Sequence, residues 1–223
     1  MKRRKTIYSL IMAAVMMFTC MTMTTHAASS NYTEEVCDVF TDVKHNAWYE
    51  EAVQYVYNNG IMSGSNGTFK PTDNITRAQL VTTLYRLAGS PEVTDYSACK
   101  DFSDITEGKY YTEAVCWAYN EGITTGSNGK FNPSDNLTRQ QMIVFLFRYA
   151  EVMGVNVNDI PEDIEIYGFG LSWYALYPTF WAVGTGLITG NGLTVDGRIN
   201  VNPLGNATRA QVATILMRFC ETM

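Results

Sequence analysis

The 223-residue chain is poor in histidine, in basic residues and in long apolar segments. Its two histidines, His26 and His45, are too few for most histidine-based metal centres and general-base sites. Lys and Arg number 16 against 22 Asp and Glu, and the net charge of −6 argues against a protein that follows nucleic-acid phosphates. These deficits leave two classes of function: ligand binding, and catalysis by carboxylates alone. We expect no cofactor, no metal and no nucleic-acid partner.

Residues 1–27 have the pattern of a secretory signal peptide. Four basic residues precede a short apolar run, and Thr25–Ala27 gives a small-x-small cleavage site. A membrane anchor would need a longer apolar run, and a lipobox at Cys20 would need a smaller residue than Thr19. Cleavage leaves 12 basic and 22 acidic residues, a net charge of −10, after a short leader at 28–36. We expect export, with no membrane association after cleavage.

The rest of the chain contains an internal repeat of about 60 residues. Residues 49–61 align without gaps with residues 111–123, and the Gly-Ser-Asn-Gly and Pro-x-Asp-Asn motifs downstream keep the same register. A looser third copy contains Trp181–Leu187 and has a longer segment between Gly190 and Pro203. The predicted repeats are residues 37–96, 97–158 and 159–223.

Each repeat is predicted to form a helix, a glycine-rich turn and a second helix, so the fold class is mainly α. Phe69 or Phe131 is expected to lie beneath the turn. The second helix begins with a capping box, in which the Thr76 hydroxyl and the Gln79 amide bond each other's main-chain N–H. The same pair recurs at Thr138 and Gln141 and at Thr208 and Gln211.

An arginine follows the capping threonine in every copy: Arg77, Arg139 and Arg209. A cation at this position is unfavourable, because the N-terminus is the positive end of the helix dipole. One interpretation is that the guanidinium joins free main-chain N–H groups in a receptor for a carboxylate or phosphate. The alternative is an ion pair with Asp42 or Asp104 of a neighbouring repeat.

The combined motifs resemble those of S-layer homology (SLH) domains over residues 37–223. They are a Phe-x-Asp start, an aromatic-alanine helix ending in Gly-Ile, a Gly-x-Phe-x-Pro turn and Ile-Thr-Arg-Ala-Gln. The resemblance implies three repeats in a pseudo-threefold unit with minor extended segments and grooves between adjacent repeats. It implies a secreted, non-enzymatic protein anchored noncovalently to the wall or S-layer of a Gram-positive-type bacterium. The implied partner is the pyruvylated secondary cell-wall polysaccharide.

The resemblance also implies site residues. The arginines would meet the pyruvate carboxylate, Trp48 and Tyr110 would face sugar C–H groups, and the aspartates would bind hydroxyls or orient an arginine. Core packing is the alternative for the aromatic pair, and capping of a short helix is the alternative for the aspartates. Glycines would allow close approach of the ligand. The implied ligand-binding residues are Arg77, Arg139, Arg209, Trp48, Tyr110, Asp42, Asp104, Gly64, Gly126 and Gly190.

The third copy departs from this pattern. Glu162 and Asp163 stand loosely in place of the Phe-x-Asp start, and Pro178 should delay or kink the first helix. Glutamine replaces the motif glutamate in all three copies, which a capping box tolerates. The groove that depends on the third repeat is therefore expected to be the least complete.

Two other functions remain open. A wall-active glycosidase could use Glu50-Glu51 or Glu162-Asp163-Glu165, but adjacent helical residues point apart and present no facing carboxylates. A structural subunit that assembles with itself or with other surface-layer proteins is the second alternative. The segment 196–200 lacks the spacing of a calcium loop and is interpreted as a turn.

Four cysteines follow the predicted cleavage site: Cys37, Cys99, Cys116 and Cys220. They allow three disulfide connectivities, and buried thiols are the alternative. In the closed ring that the resemblance implies, Cys220 would approach Cys37, so we expect that pair to be bonded.

Overall fold

The computed structural model describes residues 35–161, 163–190, 192, 194 and 197–222. The predicted signal peptide and Glu162 lie outside them. The described chain is mainly helical, so the predicted fold class is confirmed. No helix in it is long and apolar enough to cross a membrane. In chain order the elements are α1 (Val36–Val39), α2 (Glu50–Asn58), α3 (Arg77–Leu87), a 3-10 helix (Ala98–Asp101), α4 (Thr112–Asn120), α5 (Arg139–Val152), β1 (Ile166–Tyr167), α6 (Trp173–Gly184), β2 (Ile199–Asn200) and α7 (Arg209–Thr222).

The capping boxes fix where three of the helices begin. At α3 the Thr76 hydroxyl accepts the N–H of Gln79 at 3.3 Å, and the Gln79 amide oxygen accepts the N–H of Thr76 at 2.9 Å. The same reciprocal bonds form before α5 and before α7. Such a cap contributes about 1 kcal/mol. The predicted capping boxes are therefore confirmed, and each motif arginine is the first residue of its helix.

Six helices of the described chain pack against each other as three pairs. Helix α4 packs on α3, α6 packs on α5, and α2 packs on α7. The last pair joins elements near opposite ends of the described chain. The predicted turn phenylalanines, Phe69 and Phe131, are fully buried in the common core.

A closed ring of main-chain hydrogen bonds joins the three segments that precede α3, α5 and α7. Ile75 N–H donates to the oxygen of Ala207 at 3.0 Å, Ala207 N–H to Leu137 at 2.9 Å, and Leu137 N–H to Ile75 at 2.9 Å. All three residues are fully buried. Each donor therefore needs a protein partner, and the ring supplies one for each. We call these three residues the central ring.

The segment around α6 differs from the segments around α2 and α4 in two ways. Strands β1 and β2 pair in parallel, with Ile166 opposite Ile199. Helix α6 begins at Trp173 and continues through Pro178, so the expectation that this proline delays the helix is wrong. Pro178 removes one intrahelical donor. Burial of the apolar ring of Trp181 on the same helix offsets that loss.

The disulfide joins a different pair of cysteines from the predicted one. Cys99 on the 3-10 helix is bonded to Cys116 on α4. Cys37 and Cys220 are both reduced, so the predicted bond between them is wrong. The thiol of Cys37 donates instead to Glu50 Oε1 at 3.1 Å. The packing of α4 on the 3-10 helix brings Cys116 next to Cys99, and sequence spacing alone does not reveal this contact.

Candidate functional site

Each motif arginine reaches from its own helix to the glycine-rich turn of another predicted repeat. The Nε of Arg77 donates to the main-chain oxygen of Phe131 at 2.8 Å. Arg139 makes the same bond to Val201 at 2.9 Å, and Arg209 to Phe69 at 2.8 Å. One edge of each guanidinium is thereby fixed to a neighbouring turn.

The first main-chain N–H groups of the three helices are already used. Arg77 N–H donates to the oxygen of Asp135 and Ala78 N–H to that of Pro133, both at 3.0 Å. Equivalent bonds begin α5 and α7. The capping threonine accepts the third N–H. The expectation that free N–H groups take part in an anion receptor is therefore wrong, because buried donors at these contacts are paired with the neighbouring turn.

The two predicted aspartates hold the turns to which arginines bond. Asp42 accepts the N–H of Phe69 at 2.8 Å through Oδ1 and that of Lys70 at 2.7 Å through Oδ2. Asp104 makes the same two bonds one repeat later, to Phe131 at 2.8 Å and to the following residue at 2.6 Å. The helix-capping alternative is wrong for both. Each aspartate instead positions the turn whose carbonyl receives an arginine.

The third turn is held without a carboxylate. Val201 occupies the position of Phe69 and Phe131, and its N–H donates to the main-chain oxygen of Tyr167 at 3.1 Å. This bond continues the β1–β2 pairing. A main-chain carbonyl therefore replaces the aspartate, and the Arg139 turn lacks the negative charge present at the other two turns.

The arginines are desolvated cations without a direct ion pair to the described acids. Burial lowers the pKa of Arg77, and the nearby Asp135 and Asp104 oppose that shift. Burial also lowers the pKa of Arg209, opposed by Asp73 and Asp42. The hydrogen bonds of these guanidinium groups to described residues run to main-chain oxygens. The ion-pair alternative with Asp42 or Asp104 is therefore not what the structure forms.

Arg139 is more deeply buried than the other two motif arginines. Its side chain is 5% exposed, whereas Arg77 and Arg209 are half-buried. The neighbouring Gln140 accepts the N–H of Ser172 at 2.9 Å, which brings the start of α6 over this region. Solvent therefore reaches the guanidinium of Arg77 or Arg209 more readily than that of Arg139.

Trp48 and Tyr110 are surface residues. They are 66% and 65% exposed, so the core-packing alternative is wrong for both. Each ring packs edge-on against the next aromatic residue, Tyr49 at 5.3 Å and Tyr111 at 5.1 Å between centroids. Tyr110 also lies within electrostatic range of Arg209. An exposed aromatic ring beside a cation can face a sugar that carries a carboxylate.

Sequence reasoning missed a third aromatic residue, Tyr174. It lies seven positions before Trp181, as Trp48 lies before Tyr55 and Tyr110 before Trp117. Tyr174 is 40% exposed and lies within electrostatic range of Arg77. The repeat register contained this signal, because the third repeat keeps the aromatic residue even where its other motifs are lost.

The predicted glycines lie where side chains would collide. A Cβ at Gly64 would overlap the Phe40 ring and the oxygen of Thr68, and one at Gly126 would overlap the Phe102 ring. At Gly190 a Cβ would lie 2.7 Å from the oxygen of Asn200. Packing alone therefore requires glycine at these positions, and their contact with a ligand stays a prediction.

Of the two acidic clusters considered for catalysis, Glu50-Glu51 lies wholly within the described residues, and Glu162-Asp163-Glu165 does not. Its Oε1 accepts the Cys37 thiol, and its Oε2 accepts the N–H of Asn46. Glu51, next to it, is exposed. Both oxygens of the Glu50 carboxylate therefore already accept local hydrogen bonds.

Comparison with known proteins identifies parts of the first two predicted repeats. Residues 39–81 and 101–143 match the family model of the S-layer homology domain. The chain is 30% identical over 194 residues to an endoglucanase of Bacillus sp. (strain KSM-635), covering 85% of this chain and 19% of that protein. It is 26% identical over 183 residues to a surface-layer 125 kDa protein of Lysinibacillus sphaericus, covering 81% and 15%.

An S-layer protein of Bacillus thuringiensis subsp. finitimus is 26% identical over 136 residues, covering 59% of this chain and 16% of that protein. The chain thus spans less than a fifth of the length of each of these three relatives. One segment is shared by a protein named as an enzyme and by proteins named for the surface layer. The shared segment therefore does not by itself specify hydrolysis.

Proposed function

Residues 39–81 and 101–143 belong to the S-layer homology family, and we propose that this chain anchors noncovalently to the bacterial cell wall. Its ligand is an anionic secondary wall polysaccharide that carries pyruvyl groups. Two grooves bind it. The Arg77 groove contains Arg77, Asp104 and Tyr174, and the Arg209 groove contains Arg209, Asp42 and Tyr110.

The observation that carries this proposal is the environment of the Arg77 and Arg209 guanidinium groups. Each guanidinium is fixed through Nε, half-buried, and lacks a direct ion pair to the described acids. A planar cation held in this way suits a carboxylate, which accepts two parallel N–H bonds. The exposed tyrosine beside each arginine offers a face to the sugar that carries the carboxylate.

The charge of the whole chain does not attract this ligand. With the predicted signal removed, the net charge is −10, so the long-range field repels a polyanion. Affinity must then come from the two local sites rather than from a basic surface. This favours a short recognised group, such as a pyruvyl acetal, over nonspecific binding along a charged polymer.

The covered position of Arg139 limits the number of working grooves. This arginine is 5% exposed, and the turn it contacts has no aspartate at the position of Asp42 or Asp104. We therefore assign binding to two grooves. The segment 159–223 is then a third, divergent repeat that completes the other two by supplying Arg209 and Tyr174.

The disulfide bond supports export of the protein from the cytoplasm. The disulfide between Cys99 and Cys116 is typical of proteins outside the cytoplasm. The surface-layer names of the relatives and the predicted signal at 1–27 agree with this location. We propose a non-enzymatic protein of the wall or S-layer of a Gram-positive-type bacterium.

Cosedimentation with purified wall carbohydrate, native and depyruvylated, tests the proposal. The unmodified chain should sediment with native polymer and stay in solution with the depyruvylated one. The double variant Arg77→Ala, Arg209→Ala should lose binding while its circular dichroism spectrum stays helical. Retained binding by this correctly folded variant would overturn the proposal.

Arg148→Ala is the matched control for that experiment. Arg148 is also half-buried and donates to a main-chain oxygen, that of Ile123 at 3.4 Å, but it belongs to neither groove. Its variant should bind as the unmodified chain does. Equal loss of binding in the control would show that total charge, rather than the grooves, carries the affinity.

Self-association is a second candidate function, favoured by exposed apolar side chains near α6. Phe169, Trp173 and Leu204 are 83%, 89% and 54% exposed. Exposed apolar residues in one region commonly mark contacts between proteins. Sedimentation without polymer separates the two functions, because a concentration-dependent assembly that survives the double arginine variant would belong to this surface.

A further inference from the structure

Helices α1 and α2 and the loop between them bring together a thiol, an imidazole and a carboxylate that belong to neither proposed groove. Cys37 lies on α1, His45 in the following loop, and Glu50 is the first residue of α2. One ligand atom from each lies within 4.8 Å of the other two. Glu50 Oε1 lies 3.1 Å from the sulfur of Cys37 and 3.3 Å from Nδ1 of His45.

These three atoms form a recognisable donor set. Zinc and similar divalent ions bind thiolate sulfur, imidazole nitrogen and carboxylate oxygen with bonds of about 2.0–2.3 Å. A tetrahedron with such bonds separates its ligand atoms by roughly 3–4 Å. The two distances from Glu50 Oε1 already fall in this range. One donor atom from each residue lies within 4.8 Å of the others, so side-chain adjustments can bring all three around one ion.

The carboxylate is held in place by a second hydrogen bond. Glu50 Oε2 accepts the main-chain N–H of Asn46. Asn46 has φ of 59°, a left-handed conformation that asparagine adopts more readily than most residues. This turn leaves Oε1 directed at the other two donors. Outer hydrogen bonds of this kind orient ligands in established metal sites.

The cluster is open to solvent on one side. The side chain of His45 is 61% exposed and that of Glu50 is 27% exposed. Glu35 and Asp38 lie within electrostatic range of the thiol and add negative potential. An ion can therefore reach three protein donors and keep water as its fourth ligand.

We propose that Cys37, His45 and Glu50 form a binding site for one zinc-like divalent ion. The ligand atoms are Sγ, Nδ1 and Oε1. The sequence predicted no metal site, because its two histidines are too few for most histidine-based centres. The fold supplies the third donor by placing the loop that contains His45 against the start of α2.

The second repeat provides a natural comparison. Its equivalent positions are Cys99, Glu107 and Thr112. Cys99 is bonded to Cys116, whose equivalent in the first repeat is Gln54. Of these two repeats, only the first therefore contains the donor set, at the place where the disulfide partner is absent.

Titration with Co²⁺ tests the proposal on the full purified chain. The protein is stripped with a chelator and handled without oxygen or reductant, so that the disulfide stays intact. We expect one Co²⁺ per chain, a thiolate-to-cobalt charge-transfer band, and displacement by Zn²⁺. Cys37→Ser should abolish the band, and Glu50→Gln or His45→Asn should weaken binding about tenfold or more.

Two controls make the result decisive. Cys220→Ser keeps the site and should keep the band. Glu107→Gln removes an exposed carboxylate at the position equivalent to His45 and should leave cobalt binding unchanged. The proposal is overturned if the helical Cys37→Ser variant retains the band, if Cys220→Ser loses it, or if the unmodified chain binds no Co²⁺.

Discussion

The Nε of Arg209 donates a 2.8 Å hydrogen bond to the main-chain oxygen of Phe69, which lies 140 positions earlier in the chain. The guanidinium carbon also lies 4.7 Å from the centre of the Phe69 ring. Asp42 holds the same turn through two main-chain N–H groups. The geometry of the Arg209 groove therefore depends on residues from both ends of the described chain, and it exists only when those ends are packed together.

Replacing Arg209 with lysine tests whether shape or charge matters in this groove. Arg209→Lys keeps the positive charge but loses the Nε bond and the planar pair of donors. We expect affinity for pyruvylated wall polysaccharide to fall at least about tenfold, because a hydrogen bond to a charged group contributes about 1.5–3 kcal/mol. Equilibrium binding measures this, with Arg148→Lys as the control. Unchanged affinity for Arg209→Lys would show that charge alone is enough.

The carboxylate of Asp42 is expected to stabilise the fold. In Asp42→Asn one of the two main-chain donors, Phe69 N–H or Lys70 N–H, loses its acceptor. We expect the free energy of unfolding to fall by about 1–3 kcal/mol, measured by urea denaturation. Asp73→Asn is the control, since Asp73 is exposed. Equal stability of the two variants would contradict the assigned role of Asp42.

Local sequence patterns predicted the parts of this fold that depend on neighbouring residues. A capping box spans three positions, and the burial of Phe69 beneath its turn follows from the turn residues around it. The partners of Asp42 and Arg209 lie 27 and 140 residues away, and no local pattern identifies them. The repeat register could have identified Tyr174 as a candidate site residue, because Tyr174 occupies the position of Trp48.

The errors also have physical causes. Helix starts suggest free N–H groups, but in α3 those groups bond to a neighbouring turn that the sequence does not place. Pro178 breaks one hydrogen bond of α6, while burial of Trp181 on the same helix outweighs the loss. The disulfide depends on which face of α4 contacts the 3-10 helix. Each error concerns tertiary contacts that override a local preference.

Removing the hydroxyl of Tyr149 should stabilise the protein. This oxygen is buried among the described residues without a hydrogen-bond partner, and the ring packs against Phe219 at 5.6 Å between centroids. Burial raises the pKa of Tyr149, so the group stays neutral. Tyr149→Phe should raise the free energy of unfolding by about 1 kcal/mol, because an unsatisfied buried group costs about that much or more.

Tyr85→Phe provides the opposite case for the same measurement. The Tyr85 hydroxyl donates to the oxygen of Pro91 at 2.8 Å. Its removal should lower stability by about 0.5–1.5 kcal/mol, as for an ordinary hydrogen bond. Thermal or urea denaturation compares the two variants. A loss of stability in both would show that the Tyr149 hydroxyl has a partner, such as a buried water.

The disulfide is expected to contribute measurably to stability. Cys99 and Cys116 are 17 residues apart, and closing a loop of that length stabilises a fold by about 3 kcal/mol in the chain-entropy account. The double variant Cys99→Ser, Cys116→Ser should lose about this much in urea denaturation. Cys220→Ser, which leaves the disulfide intact, is the control. A double variant as stable as the control would mean that packing alone holds the 3-10 helix.

The central ring has a mechanical consequence for the proposed anchoring function. Ile75, Leu137 and Ala207 each hold one neighbour and are held by the other, so no helix pair occupies a terminal position from which unravelling can start. A pull on α7 is resisted by α2 as well as by its sequence neighbours. Under load we therefore expect the described chain to yield in a single step rather than by successive release of its helix pairs.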